Sequence, residues 1–89
     1  MAKSILQSRK ECYLCGTTIN LHEHHVIHGT SNRKNSECTG LKVWLCFPHH
    51  EFVHKNRIAD LQLKEFAQQE FEKSHTREEF IQIFGKSYL

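Results

Sequence analysis

Two short motifs, each with a two-residue spacer, constrain the fold of this chain more than any other feature. The first is Cys12-x2-Cys15, and the second is Cys46-x2-His49. Two such motifs place four thiolate and imidazole ligands at the corners of a tetrahedron, which is the geometry of a structural Zn²⁺ site. Gly16 follows the first motif and supplies the left-handed turn that such a knuckle needs. The sequence therefore predicts one structural zinc ion, held by Cys12, Cys15, Cys46 and His49.

A site of this kind suits a chain of this size. The sequence has 89 residues, which fit a single domain over 1–89, and a core this small usually needs disulfides or metal. It contains four Cys and eight His. No segment is apolar enough for a secretory signal or a bilayer span. We therefore expect a cytoplasmic protein without a membrane partner, whose cysteines hold metal rather than form disulfides.

The fourth cysteine leaves the ligand set open. Cys38 could replace His49 and give a site with four thiolates. Its spacing from Cys46 is seven residues, which is not that of a knuckle, and it lies in a polar segment. Otherwise Cys38 is a free thiol. The interpretation without metal is that all four cysteines are ordinary thiols in a reducing compartment.

Hydrophobic periodicity predicts an α+β fold. Residues 21–27 and 41–45 are predicted as two short strands, joined by a polar loop over 28–40 that is rich in turn formers. Pro48 stands where a helix can begin, and that helix would carry His50 and His54. Residues 1–11 are expected to form a short arm or one helical turn.

Two further helices are predicted in the C-terminal part. A period near 3.6 connects the apolar residues Ile58, Leu61, Phe66, Ala67 and Phe71. Thr76 and Glu79 form a capping box for a last helix, which would end at Gly85 and bury Phe80, Ile81 and Phe84. The phenylalanines of this part are interpreted as core, or else as an interface with a partner or a second copy.

The remaining histidines suggest a second site. His50 and His54 are four residues apart, which places both rings on one face of a helix. His24 and His25 are adjacent on a strand and point to opposite faces. One of them could join the helix pair at a metal ion, while the other keeps a free ring nitrogen, as a general base requires. The alternative is that these are ordinary surface or core histidines, and the sequence assigns no ligand role to two others, His22 and His28.

These motifs resemble those of a known family. Glu23-His24-His25-Val26-Ile27, followed by Trp44-Leu45-Cys46-x2-His49-His50-x3-His54, is similar to the HNH endonucleases of the His-Me finger superfamily. The order of motifs along nearly the whole chain resembles small HNH-like proteins of phages and prophages of Gram-positive bacteria. The resemblance implies a ββα-metal fold with zinc knuckles over about 12–56, a helical extension over about 57–89, and a location in the bacterial host cytoplasm.

The resemblance also implies a role for each histidine. His24, His50 and His54 would hold one catalytic divalent ion, and His25 would be the general base that activates water. The working ion stays open among Mg²⁺, Mn²⁺, Ni²⁺ and Zn²⁺, because three imidazoles favour Zn²⁺ or Ni²⁺ while Mg²⁺ prefers oxygen ligands.

One departure from the family pattern concerns the residue that orients the base. The family usually carries an Asn at the position of Leu41. Three asparagines could take its place, namely Asn32, Asn35 and Asn56. The sequence does not select among them.

The expected function is metal-dependent hydrolysis of DNA phosphodiester bonds with low sequence specificity. The formal charge of +2 does not by itself indicate nucleic-acid binding. Five cations near the motif are candidate phosphate contacts, namely Arg33, Lys34, Lys42, Lys55 and Arg57. A second hypothesis is a non-catalytic zinc module that binds DNA or a phage recombination or replication protein, and a third is a purely structural zinc domain. A homodimer, which would let a one-site enzyme cut both strands, is also considered.

Overall fold

A computed structural model of the chain describes residues 3–29 and 31–89. Its elements, in chain order, are strand β1 (Leu21–His25), helix α1 (Asn32–Thr39), strand β2 (Lys42–Cys46) and helices α2 (Phe47–Lys55), α3 (Arg57–Phe71) and α4 (Arg77–Phe84). The described chain is thus a small α+β structure with one two-stranded sheet and four helices. At that level the predicted fold class is confirmed.

The two strands form an antiparallel pair in which His25 lies opposite Lys42. β1 ends at His25, two residues earlier than predicted, and β2 is shifted by one residue. Val26 and Ile27 follow β1 and are fully buried. The Val26 N–H still donates to the Leu41 carbonyl at 3.0 Å, so the hairpin contacts continue past the last strand residue.

The connection between the strands contains helix α1, so the prediction of a polar loop over 28–40 is wrong. Ser36 is the buried residue of this helix, and its Oγ donates to the Ile27 carbonyl at 2.6 Å and accepts from the Ile27 N–H at 3.2 Å. Gly40 ends the helix at φ +77°, where its N–H donates to the Ser36 carbonyl. α1 is therefore positioned by polar contacts rather than by an apolar face. Thr30 of the predicted loop lies outside the described residues.

Helix α2 follows β2 without an intervening loop. Cys46 is both the last residue of β2 and the N-cap of α2, and Pro48 lies in the first turn, close to the predicted start. The helix packs against both strands and against α3, with Val53 buried. This arrangement holds one face of α2 against the hairpin.

Helix α3 is buried along one face, which includes Ala67 and Phe71 of the apolar pattern. Its buried residues are Leu63, Ala67, Gln68 and Phe71. Ile58 is 70% exposed and Leu61 is 44% exposed, so these two residues of the apolar pattern do not face the core, although the predicted helix is present. Phe66 is half-buried, and its ring lies 5.8 Å from that of Tyr13 at the surface.

Helix α4 begins and ends as predicted. Thr76 and Glu79 form the capping box, and Gly85 ends the helix at φ +92°. Phe80 and Phe84 are buried in the core, whereas Ile81 is 40% exposed and was wrongly predicted as core.

Residues 3–11 form an arm along β2 rather than a helical turn. The Ile5 N–H donates to the Gly40 carbonyl at 2.9 Å, and the Trp44 N–H donates to Gln7 Oε1 at 2.8 Å. Leu6 packs against the core. Met1 and Ala2, which the prediction included in this arm, lie outside the described residues.

Candidate metal centres

The first candidate site is formed by four side chains from the two knuckles. Cys12 and Cys15 lie in the turn before β1, where the Gly16 N–H donates to the Cys12 carbonyl at 2.8 Å. Cys46 and His49 lie at the junction of β2 and α2. The His49 Nδ1 is 3.2 Å from Cys46 Sγ and 3.5 Å from Cys12 Sγ, and the sulfurs of Cys15 and Cys46 are 3.8 Å apart. These four residues therefore form a group that could hold a metal ion.

The surroundings of Cys12 favour its thiolate form. Burial raises the pKa of the Cys12 thiol, but backbone N–H groups of Cys46, Cys15 and Leu14 outweigh burial and lower that pKa to about 6. A thiolate is the form of cysteine that binds metal. Cys38 is exposed on α1 and lies outside the group, so the alternative in which it replaces His49 is wrong.

The second candidate site is formed by three histidines from β1 and α2. His24 projects from β1, and His50 and His54 project from successive turns of α2. The Nε2 atoms of His50 and His54 are 3.2 Å apart, and each of these rings has its centroid within 5.5 Å of the His24 centroid. One ring nitrogen from each residue lies within 4.8 Å of the other two. The structure thus brings together the three residues that the sequence predicts.

The burial of His24 indicates what this cluster can bind. His24 is 2% exposed, and its Nε2 is buried without a hydrogen-bond partner in the described chain. Burial lowers the pKa of His24 to about 3, and the neighbouring His50 and His54 add to this effect. The imidazole is therefore neutral at physiological pH. A buried polar atom without a partner is costly, and a metal ion would satisfy it.

The three histidines face a cavity of about 330 Å³. Its lining also includes His25, His28, Arg33 and Glu23. His28 is outside the three-residue cluster, and its Nε2 lies 3.3 Å from Asp60 Oδ1. The cavity therefore combines three convergent ring nitrogens with a cation and further titratable groups.

His25 leaves the strand in a different direction from His24. Its Nε2 lies 2.9 Å from Glu37 Oε1 on α1, and its side chain is 14% exposed. His25 lines the same cavity but does not belong to the three-histidine cluster. Glu37 was not assigned a role from the sequence, because it lies in the segment predicted as a loop.

A third group of candidate ligands consists of Glu23, His25 and Glu37. A cation, the ammonium of Lys42, already lies between its two carboxylates. The Nζ of Lys42 lies 2.6 Å from Glu37 Oε2 and 3.3 Å from Glu23 Oε2. Burial works against the charge on Lys42, but its hydrogen bonds to the two carboxylates outweigh burial and raise its pKa. A fixed ammonium between the two carboxylates would repel a metal ion at this position.

The same contacts correct the prediction that Lys42 binds phosphate, because its side chain is only 6% exposed and both of its partners are acidic. The other four predicted cations are exposed, namely Arg33, Lys34, Lys55 and Arg57. Arg33 lines the histidine cavity. Lys55 lies 4.0 Å from Glu51 in an exposed pair, which is a weak interaction in water.

A second group of cations, which was not predicted from the sequence, lies on the N-terminal arm. Lys3, Arg9 and Lys10 line a cleft of about 550 Å³ beside Trp44, and the Lys10 Nζ lies 4.7 Å from the centre of the Trp44 ring. Within the described ranges, none of these three cations makes an ion pair. Glu23 borders both this cleft and the histidine cavity. The two concave surfaces are therefore adjacent.

Comparison with protein-family models, with curated proteins and with solved structures found no match to this chain. In the part of the chain that the structure describes, no helix is both long and apolar enough to cross a bilayer.

Proposed function

We propose that this chain is a metal-dependent DNA endonuclease of the HNH type, encoded by a phage or prophage. The observation that carries the proposal is the convergence of His24, His50 and His54 on one cavity, which His25 also lines from outside the cluster. A purely structural zinc domain has no need for this second set of ligands. Three imidazoles with a fourth beside them provide both a metal site and a group that can accept a proton.

The distances in the Cys12, Cys15, Cys46 and His49 group support zinc as the structural ion. Zn–S bonds of about 2.3 Å and Zn–N bonds of about 2.0 Å, at tetrahedral angles, separate two sulfurs by about 3.8 Å and a sulfur from a nitrogen by about 3.5 Å. The observed separations are 3.8, 3.5 and 3.2 Å. The group therefore needs little rearrangement to close around Zn²⁺.

In the histidine cavity, the residues of the chain divide the work of hydrolysis. His24, His50 and His54 would hold a divalent ion, which when bound supplies Lewis-acid stabilisation of the charge that grows on a phosphate. His25 removes a proton from the attacking water. Arg33 lines the same cavity and attracts the phosphate. The working ion is proposed to be Mg²⁺, Mn²⁺, Ni²⁺ or Zn²⁺.

The distribution of cations supports DNA as the partner. Arg33 lies in the cavity, and Lys3, Arg9 and Lys10, which form no ion pair among the described residues, line the adjacent cleft. A polyanion could lie along both surfaces, since phosphates bind to arrays of Lys and Arg without reading sequence. This arrangement fits an enzyme of low sequence specificity.

A plasmid-nicking assay tests the proposal. The parent protein, loaded with zinc at the Cys12 group, is assayed with Mg²⁺, Mn²⁺, Ni²⁺ or added Zn²⁺. We expect nicking with at least one ion and its loss in His25→Ala, with metal content and circular dichroism unchanged. His75→Ala, in the turn between α3 and α4, is the matched control and should cut like the parent. Equal cutting by His25→Ala would overturn the assignment of the base.

The alternative is a non-catalytic zinc module that binds DNA or a phage protein. The residue that favours it is Leu41, which is fully buried and offers no polar group to orient a base. Parent protein that bound DNA but cut no substrate with any of the four ions would support this alternative.

A further inference from the structure

The base proposed above needs a group that fixes its ring, and the asparagines suggested by the sequence do not contact it. Asn32 and Asn35 donate to backbone carbonyls of α4, Phe84 at 3.1 Å and Ile83 at 2.9 Å. Asn56 accepts from the Ala59 N–H as the N-cap of α3. Their predicted role beside the base is therefore wrong, since each side chain is engaged elsewhere.

The side chain that does contact His25 is Glu37. Its Oε1 lies 2.9 Å from His25 Nε2, whereas the nearest oxygen of Glu23 lies 4.0 Å from the same nitrogen. At 2.9 Å a carboxylate accepts a hydrogen bond from an imidazole N–H. The proton of a neutral His25 ring is thereby held on Nε2, and the lone pair is left on Nδ1.

Glu37 is itself held in one charge state and one position. The Lys42 Nζ lies 2.6 Å from its second oxygen. This hydrogen bond has the largest effect on the pKa of Glu37, and the one to His25 has the next largest. Together they lower that pKa to about 2. The carboxylate is therefore ionised at neutral pH, and its two oxygens point to two different partners.

The element that carries Glu37 is anchored at several points. The preceding residue, Ser36, exchanges two hydrogen bonds with the backbone of Ile27. On the other side, Asn32 and Asn35 tie α1 to the end of α4. A group that orients a catalytic side chain is effective only when its own support is rigid. α1 provides this support, although no apolar pattern in its sequence predicts it.

We propose that Glu37, supported by Lys42, is the positioning residue of the base. It fixes the ring of His25 and keeps Nδ1 unprotonated to accept the proton of water. This role rests on the proposed function. Glu37 would act through His25, which its carboxylate contacts, and it lies outside the three-histidine cluster.

The experiment compares Glu37→Gln with Glu23→Gln in zinc-loaded protein. Both substitutions remove one negative charge beside Lys42, but only the first alters the bond to His25. Side-chain ¹⁵N NMR reports which ring nitrogen of His25 carries the proton. We expect a single Nε2–H tautomer in the parent and in Glu23→Gln, and a mixture of both tautomers in Glu37→Gln.

Kinetics provide the second measurement. We expect Glu37→Gln to lower kcat by about 100-fold, the lower end of what general-base catalysis contributes, with KM and metal content unchanged. Glu23→Gln should lower kcat much less. A parent-like tautomer or kcat in Glu37→Gln would overturn the proposal, as would equal losses in the two variants.

If the parent protein cuts no DNA, the proposed function fails, and the NMR comparison still decides whether Glu37 sets the tautomer. Loss of circular dichroism or of metal in Glu37→Gln, but not in Glu23→Gln, would show a structural role and would also overturn the proposal.

Discussion

His49 and His50 are adjacent in α2, yet their rings belong to different clusters. The Nδ1 of His49 lies 3.2 Å from Cys46 Sγ, and the Nε2 of His50 lies 3.2 Å from the Nε2 of His54. The first turn of α2 thus contributes one ligand to the group of Cys12, Cys15 and Cys46 and one to the three-histidine cluster that faces the cavity. The position of α2 against the hairpin determines the geometry of both clusters.

This connection predicts that the metal affinity of the histidine cluster depends on an intact Cys12 group. We expect Cys15→Ser to lose the metal of the Cys12 group and also the affinity of the histidine cluster, because α2 is no longer fixed at its first turn. Structural zinc contributes about 10–16 kcal/mol to folding in zinc-finger peptides, which is comparable with the total stability of a domain. Metal analysis and circular dichroism check this result.

Cys38→Ser is the matched control, because it removes an exposed thiol outside the group. It should keep the metal content and the thermal midpoint of the parent. The coupling would be contradicted by a Cys15→Ser protein that binds a divalent ion at the histidines as tightly as the parent does.

Within the histidine cluster, His54→Ala should remove the second ion without unfolding the chain. His54 is exposed on α2, so its loss creates no cavity in the core. Calorimetric titration with Ni²⁺ or Mn²⁺ should show that the variant has lost the binding event of the histidine cluster, while the zinc of the knuckles remains. His28→Ala changes a histidine that lines the same cavity but lies outside the cluster, so it should keep both the binding event of the cluster and the zinc of the knuckles. The reverse pattern would place the ion at His28.

The knuckle ligands and the histidine cluster could be predicted because each depends on local spacing. Two residues between ligands make a knuckle, and four residues between His50 and His54 place them on one helical face. The pairing of β1 with β2 then brings His24 to that face. The periods of strand and helix thus predict the pair on α2 and one ligand from β1, while the choice of His24 over His25 came from the resemblance to the HNH family.

The parts that could not be predicted depend on contacts between distant segments. α1 has no apolar periodicity, and its position depends on contacts of Ser36 with Ile27 and of its asparagines with α4. Lys42 was predicted to contact phosphate, but it is buried on β2 where carboxylates from β1 and α1 converge on it. A single sequence carries no local sign of such tertiary polar contacts, so Glu37 could not be assigned.

The contacts of Glu37 also predict a dependence of stability on acid. The pKa of Glu37 falls from 4.5 to about 2 on folding, through its hydrogen bonds to Lys42 and His25. A carboxyl with a lowered pKa stabilises the fold fully above pH 4.5, and this contribution is lost as the pH falls toward 2. Glu37→Gln should therefore be less stable than the parent at pH 7, and the difference should shrink between pH 4.5 and 2.

Urea denaturation of the parent and the variant measures this difference in the free energy of unfolding. Both proteins are compared in the same metal state, because the release of metal by acid then affects both equally. Glu65→Gln on α3, a carboxylate outside every ion pair that the described ranges contain, is the control, and its difference from the parent should change less with pH. If the difference in stability between Glu37→Gln and the parent stayed constant down to pH 2, the ion-pair explanation would be contradicted.

Alanine substitutions at two glycines test whether the N-terminal arm packs over Gly40, at the end of α1. Gly40 and Gly85 both have positive φ, at +77° and +92°, so alanine costs about 1–2 kcal/mol of backbone strain at either position. A Cβ at Gly85 meets no atom within 4 Å, but at Gly40 it would collide with the Lys3 carbonyl oxygen. Gly40→Ala should therefore lower the free energy of unfolding more than Gly85→Ala does.

Limited trypsin digestion provides an independent measurement on the same two variants. A displaced arm exposes the bonds after Arg9 and Lys10, so these bonds should be cut faster in Gly40→Ala than in Gly85→Ala. Equal stabilities and equal digestion rates would mean that the arm does not pack over Gly40.

The cationic cleft predicts how DNA affinity depends on salt. Arg9→Ala/Lys10→Ala, made in the His25→Ala background so that no cleavage occurs, removes two cations that line the cleft. Each lost phosphate contact should reduce the slope of log affinity against log salt by about 0.9, so we expect a reduction of up to about 2. Fluorescence anisotropy with a labelled duplex measures this slope.

Lys73→Ala/Arg77→Ala, in the same background, removes the same formal charge from the region between the end of α3 and the start of α4, where Lys73 already pairs with Glu70 and Arg77 with Glu72. The net charge of the two double variants is equal, so any difference between their slopes reports position rather than total charge. We expect the control to keep the slope of its His25→Ala parent. Equal losses in both variants would mean that DNA responds only to overall charge and that the cleft beside Trp44 does not bind the phosphate backbone.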